Sequence, residues 1–191
     1  MAFLIFGLLL WAFGHMLLWA FGHMEGRLFP GISAVLARAE RPVMLGVVTV
    51  GVVLMVIGYR DWFGAFYWGR TPALAGINNL LMLLAVYCFA AAGMKTALAR
   101  RFRHPMLAGV LIWVVAHLLV NGDTPSFVLF GGMGIWALAE MMLLNLATPD
   151  WTPPVPRKRG VKMELMAVLG TVIVYGAIAG VHGMLGYPVF G

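Results

Sequence analysis

Apolar residues fall into six long runs, at roughly 2–23, 43–59, 73–94, 105–121, 126–146 and 164–186, with polar and charged residues gathered between them. A helix of about 20 apolar residues matches the hydrocarbon thickness of a bilayer, so each run predicts one crossing and none is long enough for two. Proline punctuates the pattern at Arg41-Pro42, Thr71-Pro72, His104-Pro105, Thr124-Pro125 and Pro153-Pro154-Val155-Pro156. Lacking a backbone donor, it belongs at helix starts and breaks helices elsewhere. The expected fold is an all-α polytopic membrane bundle of about six helices, forming a single domain over residues 1–191.

Composition agrees. The 191 residues are 62% hydrophobic and only 10% charged, far below the charged share of about 25% in soluble domains. The net charge of +6 is distributed by loop: eleven of the thirteen Lys and Arg lie in the first, third and fifth connections. Positive loops stay on the cytoplasmic side, so both termini are expected outside. No basic helix interleaved with aromatics argues for nucleic acid, and the expected surroundings are a lipid bilayer. Cys88 is the single cysteine, which excludes an internal disulfide or a multi-cysteine metal site. There is no Walker loop, serine elbow, Rossmann fingerprint or His-Glu-x-x-His.

The candidate chemistry centres on the fourth run. Gly109, Trp113, His117 and Asn121 recur every four residues, so on a helix they form one stripe with a gap, a ring, a ligand-capable nitrogen and an amide. An ionisable group inside a span is a functional candidate because burying it in lipid is costly. Glu140 qualifies for the same reason, and Thr171, Tyr175 and His182 share a face of the last run. His182 itself reads as structural. His104, thirteen residues before His117, points about 220 degrees away from it and either caps the helix or acts separately. In the first run the octapeptide Leu-Leu-Trp-Ala-Phe-Gly-His-Met occurs at 9–16 and again at 17–24, giving two candidate histidines, His15 and His23. Eight residues advance a helix about 12 Å and turn it about 80 degrees, so the copies cannot substitute for one another in a fixed site.

The run Arg103-His104-Pro105-x-x-x-Gly109, Trp113-x-x-Ala116-His117-Leu118-Leu119-x-Asn121-Gly122-Asp123 and Leu129-Phe130-Gly131-Gly132 resembles the NnrU family of bacterial membrane proteins. His23-x-x-x-Arg27-x-x-Pro30-Gly31, Asn78-Asn79-Leu80-Leu81-Met82 and Gly180-x-His182 agree with it. The resemblance implies a multi-pass protein of the bacterial inner membrane, linked to denitrification through expression or maturation of nitrite and nitric oxide reductases. It also implies haem b, because the family includes the zeta-carotene isomerase, a haem enzyme acting on a hydrophobic polyene. The haem histidines of that enzyme match His117 and the first-helix histidine. Matching through Arg27 and Pro30 selects His23, while counting from the N-terminus selects His15. The isomerase has a cysteine three residues before its second histidine, where this chain has Val114. On this reading two neutral imidazoles hold the iron, Gly109 leaves room for the macrocycle, Trp113 packs on it, and Arg27 or Arg103 pairs the propionates. Such a protein would have a redox or isomerase-type role. Two other readings remain open: a membrane methyltransferase using S-adenosylmethionine, which the Arg103-His104-Pro105 signature also resembles, or a non-enzymatic assembly factor partnering a respiratory complex.

Overall fold

The structure is a computed structural model that describes residues 1–28, 33–155 and 160–190, the side chains at 17–28 and 33–41 excepted. It is helical almost throughout: α1 (Ala2–Leu28), α2 (Ser33–Arg60), α3 (Pro72–Met94), the short α4 (Ala97–Arg101), α5 (Pro105–Val120), α6 (Thr124–Ala147) and α7 (Gly160–Met184). Four segments, Pro42–Arg60, Pro72–Met94, Thr124–Ala147 and Gly160–Met184, are long and apolar enough to cross a membrane. Ala2–Met16 and Pro105–Val120 are shorter apolar helices.

Two features depart from the pattern expected of the sequence. Pro42 lies inside α2 instead of beginning it. A helix can run through proline at the loss of one backbone bond, provided that it bends around the ring. The second departure is a small antiparallel ribbon of β1 (Phe66–Trp68) and β2 (Gly122–Asp123), which pairs Phe66 with Asp123 and Trp68 with Gly122. Strands this short carry no alternating pattern to read.

The chain divides into two compact units, Met1–Ala65 with Thr124–Gly132, and Phe66–Asp123 with Met133–Gly191. In the first, α1 and α2 pack through glycine. A Cβ on Gly7 would sit 2.6 Å from the Gly51 carbonyl oxygen, and one on Gly58 would collide with the Leu4 nitrogen. The backbones therefore touch, and Leu4 is fully buried. Small residues at a helix contact gain dispersion energy where lipid supplies no hydrophobic drive. Tyr59 and the fully buried Ser126 share a hydroxyl hydrogen bond of 2.9 Å, with Phe130 edge-on to the Tyr59 ring.

In the second unit α3 packs against both α5 and α7. Met82, Ala116 and Tyr175 form its buried centre, with Leu81, Leu83, Trp113 and Val189 against them. Helix α3 starts sharply because Pro72 follows Thr71, whose hydroxyl accepts from the Leu74 N–H at 3.3 Å. At the other end of this unit Glu164 of α7 accepts from the Ala97 N–H at 2.6 Å and from the Tyr87 hydroxyl at 3.4 Å. A carboxylate at a helix N-terminus satisfies an orphan donor and complements the dipole.

Candidate functional site

Helix α5 ends three residues after His117, and its last turn is tied down. The His117 carbonyl accepts both the backbone N–H and the side-chain amide of Asn121, each at 2.9 Å. The Leu118 carbonyl accepts the Trp68 indole N–H at 3.0 Å. The indole reaches it by lying directly over Gly122, where any Cβ would collide with the ring. Asn121 and Gly122 thus fix the helix end that carries His117.

The His117 ring is fixed as well. Its Nδ1–H donates to the Trp113 carbonyl at 2.9 Å, and the two rings lie 5.0 Å apart. In the neutral imidazole this leaves the lone pair on Nε2, the arrangement found in metal-ligating histidines whose other nitrogen is held by a carbonyl.

His117 stands on the wall of a cavity of about 330 Å³ in the second unit. Asn78 and Met82 come from α3, His117, Val120 and Asn121 from the end of α5, and Tyr175, Ile178, Ala179 and His182 from α7. The wall is completed by Arg70 and by residues 186–189, which fold back after α7. Gly186 makes that reversal: it adopts φ 87°, with the Tyr187 N–H on the His182 carbonyl at 2.8 Å and its own N–H on the Gly183 carbonyl at 3.1 Å. This is the Schellman pattern, which requires a residue tolerant of positive φ. The returning strap is then tied down. The Arg70 guanidinium donates to the Pro188 and Val189 carbonyls, the latter at 2.5 Å, and Asn79 donates to the Val189 carbonyl at 3.4 Å. A second cavity, about 430 Å³, shares Arg70 and Val189 as wall.

Two residues of the 330 Å³ cavity wall carry a buried polar atom with no hydrogen-bond partner among the described residues: Tyr175 its hydroxyl and Asn78 its Oδ1. Tyr175 is 8% exposed. A buried polar group without a hydrogen bond costs about 1–3 kcal/mol, so two of them among the residues of one cavity wall call for an explanation. The cavity size lies at the lower end of the roughly 300–1,000 Å³ of small-molecule sites.

A family model described as NnrU protein matches residues 3–189. The chain belongs to the NnrU family. No curated protein and no solved structure matches it.

Within this NnrU chain the residues singled out from the sequence are dispersed. Of the α5 stripe, His117 and Asn121 line the cavity, whereas Gly109 is filled by α3: a Cβ there would lie 2.9 Å from the Ala85 carbonyl oxygen and 3.1 Å from Cys88 Cβ. Gly109 therefore makes room for a neighbouring helix in this structure. Trp113 packs on the Met82, Ala116 and Tyr175 cluster. Arg103 donates to the Leu144 and Thr148 carbonyls and to the Thr148 hydroxyl, and His104 Nε2 bonds Asn145 Oδ1 at 2.9 Å. Both secure the C-terminal end of α6, twelve or more residues along α5 from His117, roughly 18 Å away by helical rise. His15 is in the first unit, with Nδ1–H on the Trp11 carbonyl at 2.9 Å and the rings 4.4 Å apart. The side chains of His23 and Arg27 lie outside the described residues. Glu140 does not line the cavity, and no group of three or more His, Cys, Asp or Glu suited to a metal occurs among the described residues.

His182 and Arg70 are the members that sequence reading undervalued. The shared face of Thr171, Tyr175 and His182 was the available signal, since Tyr175 and His182 do share this wall. What no periodicity supplies is that the ends of α5 and α7 line one cavity.

The donor set fits a haem in kind. It offers two imidazoles with Nδ1–H held by a backbone carbonyl, an apolar wall of Met82, Val120, Ile178 and Ala179, and the cationic Arg70 for carboxylates.

Proposed function

We propose that this NnrU-family chain binds haem b through His117 and serves a redox or isomerase-type role in the bacterial inner membrane, in support of nitrite and nitric oxide reduction. The observation that carries the reading is the His117 ring, with Nδ1–H held by the Trp113 carbonyl at 2.9 Å on the wall of a cavity that a second imidazole and a guanidinium also line. Haem, when bound, supplies one-electron redox chemistry or a ligand site at its iron. Trp113 and Asn121 hold the imidazole and the helix end in place. Met82, Val120, Ile178 and Ala179 give the wall its apolar part, and residues 186–189 complete it. With six crossings and the basic connections in the cytoplasm, the cavity is on the outer side of the membrane. The distribution of eleven of thirteen basic residues supports this orientation.

The test is an absorption spectrum, oxidised and dithionite-reduced, of the detergent-purified full chain expressed with haem precursor, with a pyridine haemochrome for stoichiometry. A near-stoichiometric b-type spectrum that His117→Ala abolishes is expected. A colourless wild-type protein, or full haem retained by His117→Ala, overturns the reading.

A further inference from the structure

The first-helix histidine is one candidate for a second ligand, but the cavity that holds His117 already contains another imidazole. His182 lines the same wall, and its Nδ1–H donates to the Ile178 carbonyl at 2.9 Å. Its tautomer is therefore set as that of His117 is, with the lone pair on Nε2. Two helices contribute: His117 stands three residues before the end of α5 and His182 two before the end of α7. The carbonyls of both residues are capped, by Asn121 and by Tyr187 respectively, so neither helix end is free to fray away from the cavity.

Arg70 supplies the second observation. Its exposed guanidinium donates to backbone carbonyls of the strap, those of Pro188 and Val189. A carboxylate is a stronger, charge-assisted partner for a guanidinium than a neutral carbonyl, and Arg70 stands on the cavity wall. Tyr175 of the same wall, 8% exposed, carries a hydroxyl without a partner among the described residues, a further donor close by. A cation and a spare donor beside two lone-pair nitrogens describe a ligand with a metal at its centre and carboxylates at its edge.

We propose that His182 is the second axial ligand in the His117 cavity, and that Arg70 holds a propionate carboxylate of the same group. This rests on the haem reading above and adds which of the chain's own residues complete the site. It departs from the pairing of His117 with a first-helix histidine. In the ligand-free chain Arg70 holds the strap on the cavity wall. On binding, the carboxylate takes over some of these donors, so the strap loosens as the site fills.

The experiment uses the full chain loaded with haem and reads coordination by absorption and electron paramagnetic resonance. The wild type is expected to be low-spin and six-coordinate. His182→Ala is expected to keep haem but become high-spin, with added imidazole restoring the low-spin spectrum. His15→Ala and His23→Ala are expected to remain low-spin. His182→Met guards against misfolding of the alanine variant: it keeps six ligands and raises the midpoint potential, as thioether ligation does. Arg70→Met is expected to bind haem roughly tenfold to a hundredfold more weakly, the loss corresponding to one charged hydrogen bond, and Arg70→Lys recovers part of that. A low-spin His182→Ala protein together with a high-spin His23→Ala or His15→Ala protein overturns the His182 assignment and leaves haem binding intact. Arg70→Met affinity within about twofold of wild type overturns the propionate role. A wild-type protein that takes up no haem overturns the underlying reading instead.

Discussion

The two units solve the same side-chain problem and use it differently. Each carries a Trp-x-x-x-His turn with nearly the same geometry: Trp11 and His15 in the first, Trp113 and His117 in the second, with Nδ1 2.9 Å from the tryptophan carbonyl in both and ring centroids 4.4 and 5.0 Å apart. A histidine that bonds its own helix four residues back is therefore a local solution to satisfying one ring nitrogen in an apolar span, and by itself marks nothing. The neighbourhood makes the difference. Helix α1 meets α2 backbone to backbone through Gly7, Gly51 and Gly58. In the second unit glycine closes α5 on α3 at Gly109, but two turns further along Asn78, Asn121, Tyr175 and His182 surround a cavity. Glycine seals one seam, and polar side chains border an opening in the other.

The seam is where the contrast should break most visibly. Gly58→Val places a side chain where even a Cβ collides with the α1 backbone, with no flexible tip to yield. A loss of about 3 kcal/mol or more is expected, the upper range for forced overpacking. Gly46→Val on the same helix meets nothing within 4 Å, and it is expected to gain up to about 0.5 kcal/mol by removing a helix-interior glycine. Thermal unfolding of both in one detergent decides this. Equal effects from the two would mean that the close approach of α1 and α2 is not what stabilises this unit.

Gly122→Val tests the second unit at the point that holds the His117 helix end. The new side chain collides with the Trp68 ring, so the indole leaves the Leu118 carbonyl and the β1–β2 ribbon opens. The expected cost is about 2 kcal/mol, combining overpacking with a lost hydrogen bond. Trp68→Phe keeps an aromatic ring and removes the donor, with an expected cost of about 1 kcal/mol. If unfolding midpoints show Gly122→Val to be no worse than Trp68→Phe, the glycine is not there to admit the ring.

Much of this architecture is legible in the sequence. Apolar runs bounded by Thr71-Pro72 and His104-Pro105 become α3 and α5 because proline at the first turn gives up only a donor that the helix does not use. The family follows from local motifs, and so does His117 as the residue to watch. What escaped was convergence. Gly109 looks like an empty place on its own helix, and only the approach of α3 fills it. His182 looks peripheral until the ends of α5 and α7 and residues 186–189 line one cavity. Arg103 and Arg70 are both basic residues between apolar runs, yet one caps α6 and the other holds the strap on a cavity wall. Periodicity describes one helix at a time, whereas these roles are defined between helices.

The finest test compares two tyrosines, one per unit. Tyr59 has its hydroxyl on the buried Ser126 at 2.9 Å, and Tyr175 has a buried hydroxyl with no partner among the described residues. Replacing each by phenylalanine removes the same atom from opposite situations. Tyr59→Phe removes this bond and is expected to cost roughly 0.5–1.5 kcal/mol, the net worth of one hydrogen bond. Tyr175→Phe removes a group that is already stranded, so the ligand-free chain is expected to gain roughly 1 kcal/mol. The gain should shrink or reverse once the cavity is loaded, because the hydroxyl then has something to meet. Unfolding of both variants with and without haem measures all four quantities. A Tyr175→Phe chain less stable than wild type in the ligand-free state would mean that its hydroxyl is satisfied there after all, and the cavity would lose its clearest sign of an intended occupant.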